Sequence, residues 1–394
     1  MARRAKAKAK VKGGRTACDA VWSAAEDRRL AAAVARWFAR EARDLPWRRT
    51  GRDGRRDAWR SLVSEVMLQQ TQVSRVVERF EEFLERFPTP GAMALAGEAA
   101  VLAAWSGMGY YRRARLLFAA AREVVERFGG KVPGEVAALR TLPGVGRYTA
   151  GAVASIVFGK PEAIVDGNVA RVLLRIHGVE KTAADGAAWC WGRAGELVAA
   201  AGEDVAGFNE GLMELGAVVC TPRGAKCGVC PVAGVCAARR EGMQERIPKP
   251  KETGRRSVVR CEVVVVRDAK GRVLLERRPG RGMWAGLWQA PTVERPGAEV
   301  AMPIGEVVAA LGLRGARVAE GSLRFTHQTT HREMMFEARE ARVPEAKAAV
   351  GMLKVPLGHS AEERRWVSVG ALKDLGVSNA QKRILDHEEG LFGG

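Results

Sequence analysis

The chain has 394 residues, 47% apolar and 28% charged, with 64 Lys+Arg against 45 Asp+Glu and a formal net charge of +19. This length exceeds one typical domain and predicts two or three. The absence of any uninterrupted apolar run of about 18 residues excludes a helical membrane span. The positive excess points to a polyanionic partner, nucleic acid first.

Residues 1–23 read as a basic disordered arm. "MARRAKAKAKVKGGRT" (1–16) holds seven Lys/Arg and no acid, a solvated pattern. A transit peptide is the competing reading; one Thr, no Ser and little amphipathic pattern stand against it, and no apolar segment suited to secretion follows. Residues 1–60 hold 18 basic and 7 acidic side chains, so +11 of the +19 lies there.

From about Ala24 to Arg240 apolar residues recur three and four apart, which predicts about ten helices within a domain over 24–244. In "AWRSLVSEVMLQQTQV" (58–73), Glu65 lies on the strip Ser61–Glu65–Gln69 beside an apolar face; a solvent-facing strip is the plain alternative. "QQT" interrupts the helix, with Thr71 expected as the N-cap of the next one and Gln70 at a protruding corner. In "LPGVGRYTAGA" (142–152), Pro143 and the glycines at 144 and 146 allow a sharp turn, with positive φ available at each glycine. Backbone N–H groups then converge at a helix starting near Thr149, which suits an anion, although most such turns only link helices. In "IVDGNVARVLLRI" (164–176), either Asp166 or Asn168 fits the N-cap, and a carboxylate there would be held ionised by the helix dipole.

Cys220, Cys227, Cys230 and Cys236 follow a C-x6-C-x2-C-x5-C spacing. Four thiolates within 17 residues can close on one soft metal centre; spacing alone leaves zinc and iron–sulfur both open. An odd total of seven cysteines, four of them clustered, favours a metal site in a reducing compartment over a disulfide framework. Arg223, Lys226, Arg239 and Arg240 flank the loop and suit phosphates. Cys18, Cys190 and Cys261 read as packing residues.

"ERIPKPKETGRRS" (245–257) reads as a linker. From 258 to 394 the texture becomes β-rich. Two strands around an Asp268–Gly271 turn, further strands, and helices near 302–313 and 379–388 predict an α/β or α+β domain.

Paired roles for one glutamate and one aspartate suit cleavage of an N-glycosidic bond. A proton donor activates the leaving group and a carboxylate stabilises an oxocarbenium-like cation. "SEVMLQQTQV", "GMGYYRRAR" (107–115), "LPGVGRYTAGA", "VDGNVARV" (165–172), "FNEGLMELGAVVC" (208–220) and the four cysteines, in this order, resemble adenine DNA glycosylases of the MutY family from about Asp44 to Cys236. Endonuclease-III-like relatives share the hairpin, the aspartate and the cysteines, but typically lack the glutamate-bearing "SEVMLQQTQV" form.

The resemblance implies a mainly α helix-hairpin-helix glycosylase domain with an iron–sulfur loop, and a [4Fe–4S] cluster on Cys220, Cys227, Cys230 and Cys236. It implies that Glu65 protonates adenine N7, that Asp166 stabilises the sugar cation, and that Tyr148 and Asn168 assist. Glu210 would contact the extruded adenine, with Arg43, Leu45 and Trp47 in its pocket. Gln70, Thr71 and Tyr110 would form a wedge probing the opposite 8-oxoguanine, and Gly144, Val145 and Gly146 would grip a DNA phosphate. Related bifunctional glycosylases hold a lysine where this chain has Tyr148; a tyrosine cannot form a Schiff base, so base removal without strand cleavage is expected.

The second domain resembles the family's C-terminal Nudix-like α/β domain, with "RRPGRGMWAGLWQAP" (277–291) as its loop around "GLW". It lacks a G-x5-E-x7-R-E-x-x-E-E box, so nucleotide pyrophosphohydrolysis is not expected. "FTHQTTHRE" (325–333) puts Thr329, Thr330 and His331 where many members carry Phe-Ser-His: Thr330 and His331 would contact the lesion, while the aromatic is lost.

The expected function is monofunctional removal of adenine opposite 8-oxoguanine or guanine in double-stranded DNA during base excision repair. The protein would act as a monomer, away from membranes, in the reducing cytoplasm near the nucleoid. The alternatives are a thymine or other mismatch glycosylase on the same scaffold, or a non-catalytic iron–sulfur DNA-binding protein.

Overall fold

The computed structural model describes residues 22–250, 256–297, 300–311, 316–343 and 363–386. The first 21 residues of the expected arm and residues 251–255 of the expected linker lie outside the described residues. The helices are α1 (Ala24–Glu41), α2 (Ala58–Leu68), α3 (Val73–Arg86), α4 (Pro90–Ala104), α5 (Arg112–Phe128), α6 (Val136–Leu139), α7 (Arg147–Phe158), α8 (Gly167–His177), α9 (Ala187–Ala201), α10 (Val205–Val218) and α11 (Ala237–Arg240). Then come β1 (Ser257–Arg267), β2 (Val273–Arg277), β3 (Trp288–Gln289), β4 (Thr292–Pro296), α12 (Ile304–Ala310), β5 (Arg317–Val318), β6 (Leu323–Gln328), β7 (Arg332–Arg342), β8 (Glu363–Val367) and α13 (Asn379–Leu385). Among the described residues no helix is long and apolar enough to cross a membrane.

The chain divides into two compact units. One takes the described parts of 1–61, 134–141 and 145–252; the other takes those of 62–133, 142–144 and 253–394. The helical stretch therefore contributes to both.

In the first unit, α1 opens with a capping box in which Ser23 and Glu26 satisfy each other's backbone N–H groups. Its apolar face, with Leu30, Val34 and Phe38, joins residues of α8, α9 and α10 in one core. Glycines on α10 let its neighbours approach closely. A Cβ on Gly211 would stand 2.7 Å from Val34 Cγ1, and one on Gly216 would stand 2.6 Å from Asn168 Cβ. Polar groups also lie in this core. Arg193 pairs with buried Asp27, and its Nε donates to His177 Nε2 at 3.1 Å. Burial and then the Arg193 charge hold the His177 imidazole down at about 4, so it stays neutral.

Among the described residues, the second unit contains an eight-stranded mixed sheet. Its centre is β1, which runs parallel to β7 from Ser257↔Arg332 to Arg267↔Arg342. A strand covered on both faces reads as a continuous apolar run, which explains "CEVVVV". Val259, Cys261, Val263 and Val265 face one core, and Val264 and Val266 face another. The expected turn at Asp268–Gly271 joins β1 to β2; the Asp268 carboxylate accepts from the Lys270 and Arg272 N–H groups. Within the described residues, the two expected C-terminal helices are α12 and α13.

Gly211→Ala is expected to lower stability by about 1–3 kcal/mol through overpacking against Val34. The urea unfolding midpoint measures this, and a midpoint equal to wild type would refute the close α1–α10 approach.

Candidate active site

In the first unit, Asp166 is the N-cap of α8: its carboxylate accepts from Val169 N–H at 2.7 Å and from Asn168 Nδ2 at 3.0 Å. Of the two expected caps, the aspartate takes the position and the asparagine orients it. Burial outweighs these hydrogen bonds and raises the carboxyl above its ordinary value, so desolvation opposes the dipole stabilisation expected at the helix N-terminus. Asn168 Oδ1 in turn accepts from Arg171 at 2.9 Å, and Arg171 Nε donates to the Cys220 carbonyl at 2.8 Å. A continuous chain of hydrogen bonds thus runs from the aspartate to the cysteine loop. Tyr148, half-buried on α7, directs its hydroxyl to Met213 Sδ at 3.0 Å.

The "RDLPWR" loop is fastened to two glutamates one turn apart on α10. Arg43 forks onto Glu214 at 2.7 and 2.8 Å, and Arg48 reaches Glu214 at 3.0 Å and Glu210 at 3.2 Å. Arg56 also grips Glu210 at 2.7 Å. Leu45 and Trp47 are buried beside them. Burial alone would raise the Glu214 carboxyl, but hydrogen bonds from Arg43 and Arg48 overcome it and hold the group down at about 2. Arg48, Arg56 and Glu214 were absent from the sequence-derived set.

At the hairpin, Gly144 has φ +77°, and a Cβ there would lie 2.7 Å from Leu116 Cβ. Gly146 does not use positive φ: it caps α7 at φ −85° and ψ −177°, so the helix begins at Arg147, not Thr149. Open space lies where a Gly146 Cβ would stand, which leaves the backbone approachable.

Cys220, Cys227, Cys230 and Cys236 line one cavity with Val172, Ile176 and other apolar side chains. Arg175 donates to Cys220 Sγ at 3.4 Å, and its carbonyl accepts from Cys236 Sγ at 3.4 Å. Burial raises the Cys230 thiol to about 11, with the neighbouring sulfurs adding to the shift; thiolates here require a cationic centre. Among the described residues, no three His, Cys, Asp or Glu side chains come close enough to hold a single ion. The four cysteines nevertheless face one cavity, an arrangement open to a soft metal centre. Cys190 and Cys261 are buried packing residues, as expected, and Cys18 lies outside the described residues.

In the second unit, Glu65 lies half-buried on α2 between buried Ser64 and Val66. The chain then turns through Gln70, whose φ of +56° is the left-handed region that non-glycine residues avoid. Thr71 does not cap α3; Gln72 holds that position without a side-chain bond. The reason is Arg113, which takes the Thr71 hydroxyl at 2.8 Å. The same buried guanidinium donates to the carbonyls of Val66, Met67 and Gln69 at the end of α2, and to Met108 and Gly109. Its Cζ lies 5.4 Å from the centroid of the Tyr110 ring. Burial lowers its pKa to about 10, so it remains charged at neutral pH.

Tyr110, itself at φ +47°, is 46% exposed and hydrogen-bonds Thr330 at 3.1 Å. Thr330 and His331 form the exposed tip between β6 and β7. Thr329 closes this tip: its hydroxyl accepts from Arg332 N–H at 3.0 Å and donates to the Arg332 carbonyl at 3.1 Å. Gln70, Thr71, Tyr110 and Thr330 line one cleft together with Trp284 and His327. The last two, also absent from the sequence-derived set, are in ring contact at 5.8 Å.

Residues 63–188 match the HhH-GPD superfamily base excision DNA repair protein family, and residues 262–387 match the NUDIX domain. Over 328 residues the chain is 32% identical to the adenine DNA glycosylase of Schizosaccharomyces pombe, spanning 68% of this chain and 70% of that protein. The chain belongs to the adenine DNA glycosylase, or MutY, family. The human family member is 38% identical over 309 residues, 65% of this chain and 56% of its own length. That of Mycolicibacterium smegmatis is 45% identical over 201 residues, 50% of this chain and 65% of its own length. The chain thus spans less than two thirds of these two relatives. A helix-hairpin-helix glycosylase fold followed by a Nudix-like fold agrees with the sequence-derived fold class.

Two outcomes follow from these buried charged groups. The Glu214 carboxyl is lowered on folding from 4.5 to about 2, so its stabilisation is complete above about pH 5 and is lost as the pH falls towards 2. Roughly 2 kcal/mol should disappear between pH 7 and 3, and Glu214→Gln, less stable at pH 7, should show a correspondingly shallower acid limb in denaturant titrations. An unchanged limb would contradict this. Arg113→Leu strands several buried carbonyls and should cost about 3 kcal/mol or more, read from the same titrations at pH 7; a loss below about 1 kcal/mol would contradict this role for Arg113.

Proposed function

We propose that this protein is a monofunctional DNA glycosylase of base excision repair, hydrolysing the N-glycosidic bond of adenine opposite 8-oxoguanine or guanine in double-stranded DNA. The observation that carries this reading is Asp166, buried at the head of α8 and held by Val169 and Asn168, within the family-matched segment that also contains Glu65.

The adenine leaves the stack, because its reacting atoms are inaccessible inside the duplex. It enters the pocket of Arg43, Leu45, Trp47 and Glu210, whose inner framework is Arg48, Arg56 and Glu214. Glu65 protonates N7, so that adenine can depart neutral with the electrons of the C1′–N9 bond. The sugar becomes an oxocarbenium-like cation, stabilised by ionised Asp166 and supported by the Tyr148 phenol and Asn168. Water adds at C1′ and gives its proton to the Glu65 carboxylate. Because burial raises Asp166, the ionised form, and with it excision, is lost at a higher pH than for an exposed aspartate.

Gly144, Val145 and Gly146 hold a phosphate through their backbone. Gln70, Thr71 and Tyr110 enter the duplex, and Thr330 and His331 face 8-oxoguanine. Cys220, Cys227, Cys230 and Cys236 hold a [4Fe–4S] cluster, which when bound anchors the 220–236 loop. We assign residues 1–23 to a basic arm, 24–244 to the glycosylase domain, 245–257 to a linker and 258–394 to lesion recognition, in a monomer working in the reducing cytoplasm.

The test is single-turnover base release from A:8-oxoguanine, A:G and G:T duplexes. Adenine release opposite 8-oxoguanine is expected, with a loss of about 100-fold or more in Glu65→Gln and strand breaks only after alkali. Folded wild-type protein that releases no adenine would refute the reading. Preferential thymine release would move the chain to a thymine-mismatch specificity.

A further inference from the structure

The loop that carries Tyr110 is conformationally demanding. Gly107, Gly109 and Tyr110 all have positive φ, at 93°, 71° and 47°. Arg113 and Trp105 hold the Met108 and Gly109 carbonyls from beneath. Arg75 donates to the Gly107 carbonyl at 2.8 Å and Arg79 to the Ser106 carbonyl at 3.4 Å, and additional restraints come from a segment more than 260 residues further along the chain. The carbonyl of buried Val377 accepts both the Tyr111 hydroxyl and the Ser106 hydroxyl, the latter at 3.3 Å. The Tyr111 oxygen also accepts from Gly107 N–H at 3.3 Å, and Asn379 Nδ2 donates to the Gly107 carbonyl at 3.3 Å. Tyr111 is 5% exposed, and burial raises its pKa, so the phenol remains a donor.

The segment bearing these partners is itself fixed. Trp288 N–H donates to the Gly376 carbonyl at 2.9 Å, and Trp288 bridges Val377, which joins 376–377 to β3 of the sheet. A Cβ on Gly376 would lie 3.1 Å from Leu102 Cβ on α4. The segment therefore sits tightly between the sheet and the helix leading into the Tyr110 loop.

We propose that residues 376–379 form a bracket that presets the Tyr110 wedge for entry into the duplex, with Tyr111 as its positioning residue. This rests on the reading of Tyr110 as a wedge. The Nudix-like fold then has two separate roles: its β6–β7 tip meets the lesion, and its 376–379 segment holds the probe in shape. Tyr111 touches no substrate; it acts through the backbone of Gly107 and through Val377.

The test uses the full chain and a duplex with 2-aminopurine beside 8-oxoguanine opposite adenine. The fluorescence rise on mixing reads base unstacking, and adenine release is followed separately. Tyr111→Phe keeps the ring, and is expected to leave affinity for undamaged duplex unchanged while slowing the rise about tenfold. Asn379→Ala, at an exposed position, should slow it about threefold and carries the test if Tyr111→Phe does not fold. A rise at the wild-type rate in the folded variants overturns the bracket. No rise from wild type overturns both the bracket and the wedge. A wild-type rise without adenine release refutes the glycosylase reading alone, and the bracket is still judged on the unstacking rates of the variants.

Discussion

The exposed features of the second unit depend on one buried guanidinium. Arg113 meets the carbonyls that end α2, the Thr71 hydroxyl and the carbonyls of the Tyr110 loop. Helix ends leave such carbonyls without intrahelical partners, and a non-glycine residue in the left-handed region costs roughly 1–2 kcal/mol. Gln70 and Tyr110 both occupy that region. A planar group with five donors can satisfy two diverging loops at once, whereas an ammonium offers three donors from one point. Glu65 and the two projecting residues thus lie on segments that share a single internal support.

The first unit distributes its support along helices. α8 carries Asp166 at its head and, two turns further on, Arg175, which contacts the cysteine loop. α10 presents Glu210 and Glu214 to the arginines of the "RDLPWR" loop, while Gly211 and Gly216 admit α1 and Asn168 at short range. Charge and close packing on one helix serve both the anchoring of the arginine-bearing loop and the seating of Asn168, which bonds the aspartate.

Local signals made much of this legible. Helical periodicity located the helices, β-branched runs of strand length located β1 and β2, and cysteine spacing located the loop that converges in space. Long-range pairing was not legible. Arg113 meets Met67 across 46 residues and Arg43 meets Glu214 across 171, and no period encodes such partners. A clue did exist: Arg113 stands four residues before Leu117 and seven before Ala120, on a buried stripe, where an unpaired charge would be prohibitive. The displaced cap has the same origin, because the Thr71 hydroxyl serves Arg113, leaving Gln72 at the helix start.

The β6–β7 tip shows what a small substitution can do. Where an aromatic side chain would offer contact area, Thr329 instead ties both backbone groups of Arg332. A turn closed by its own side chain has little conformational entropy left to lose when it meets a surface. Preorganisation here takes the place of reach: Thr330 and His331 stand exposed on a turn that the Thr329 side chain closes from within.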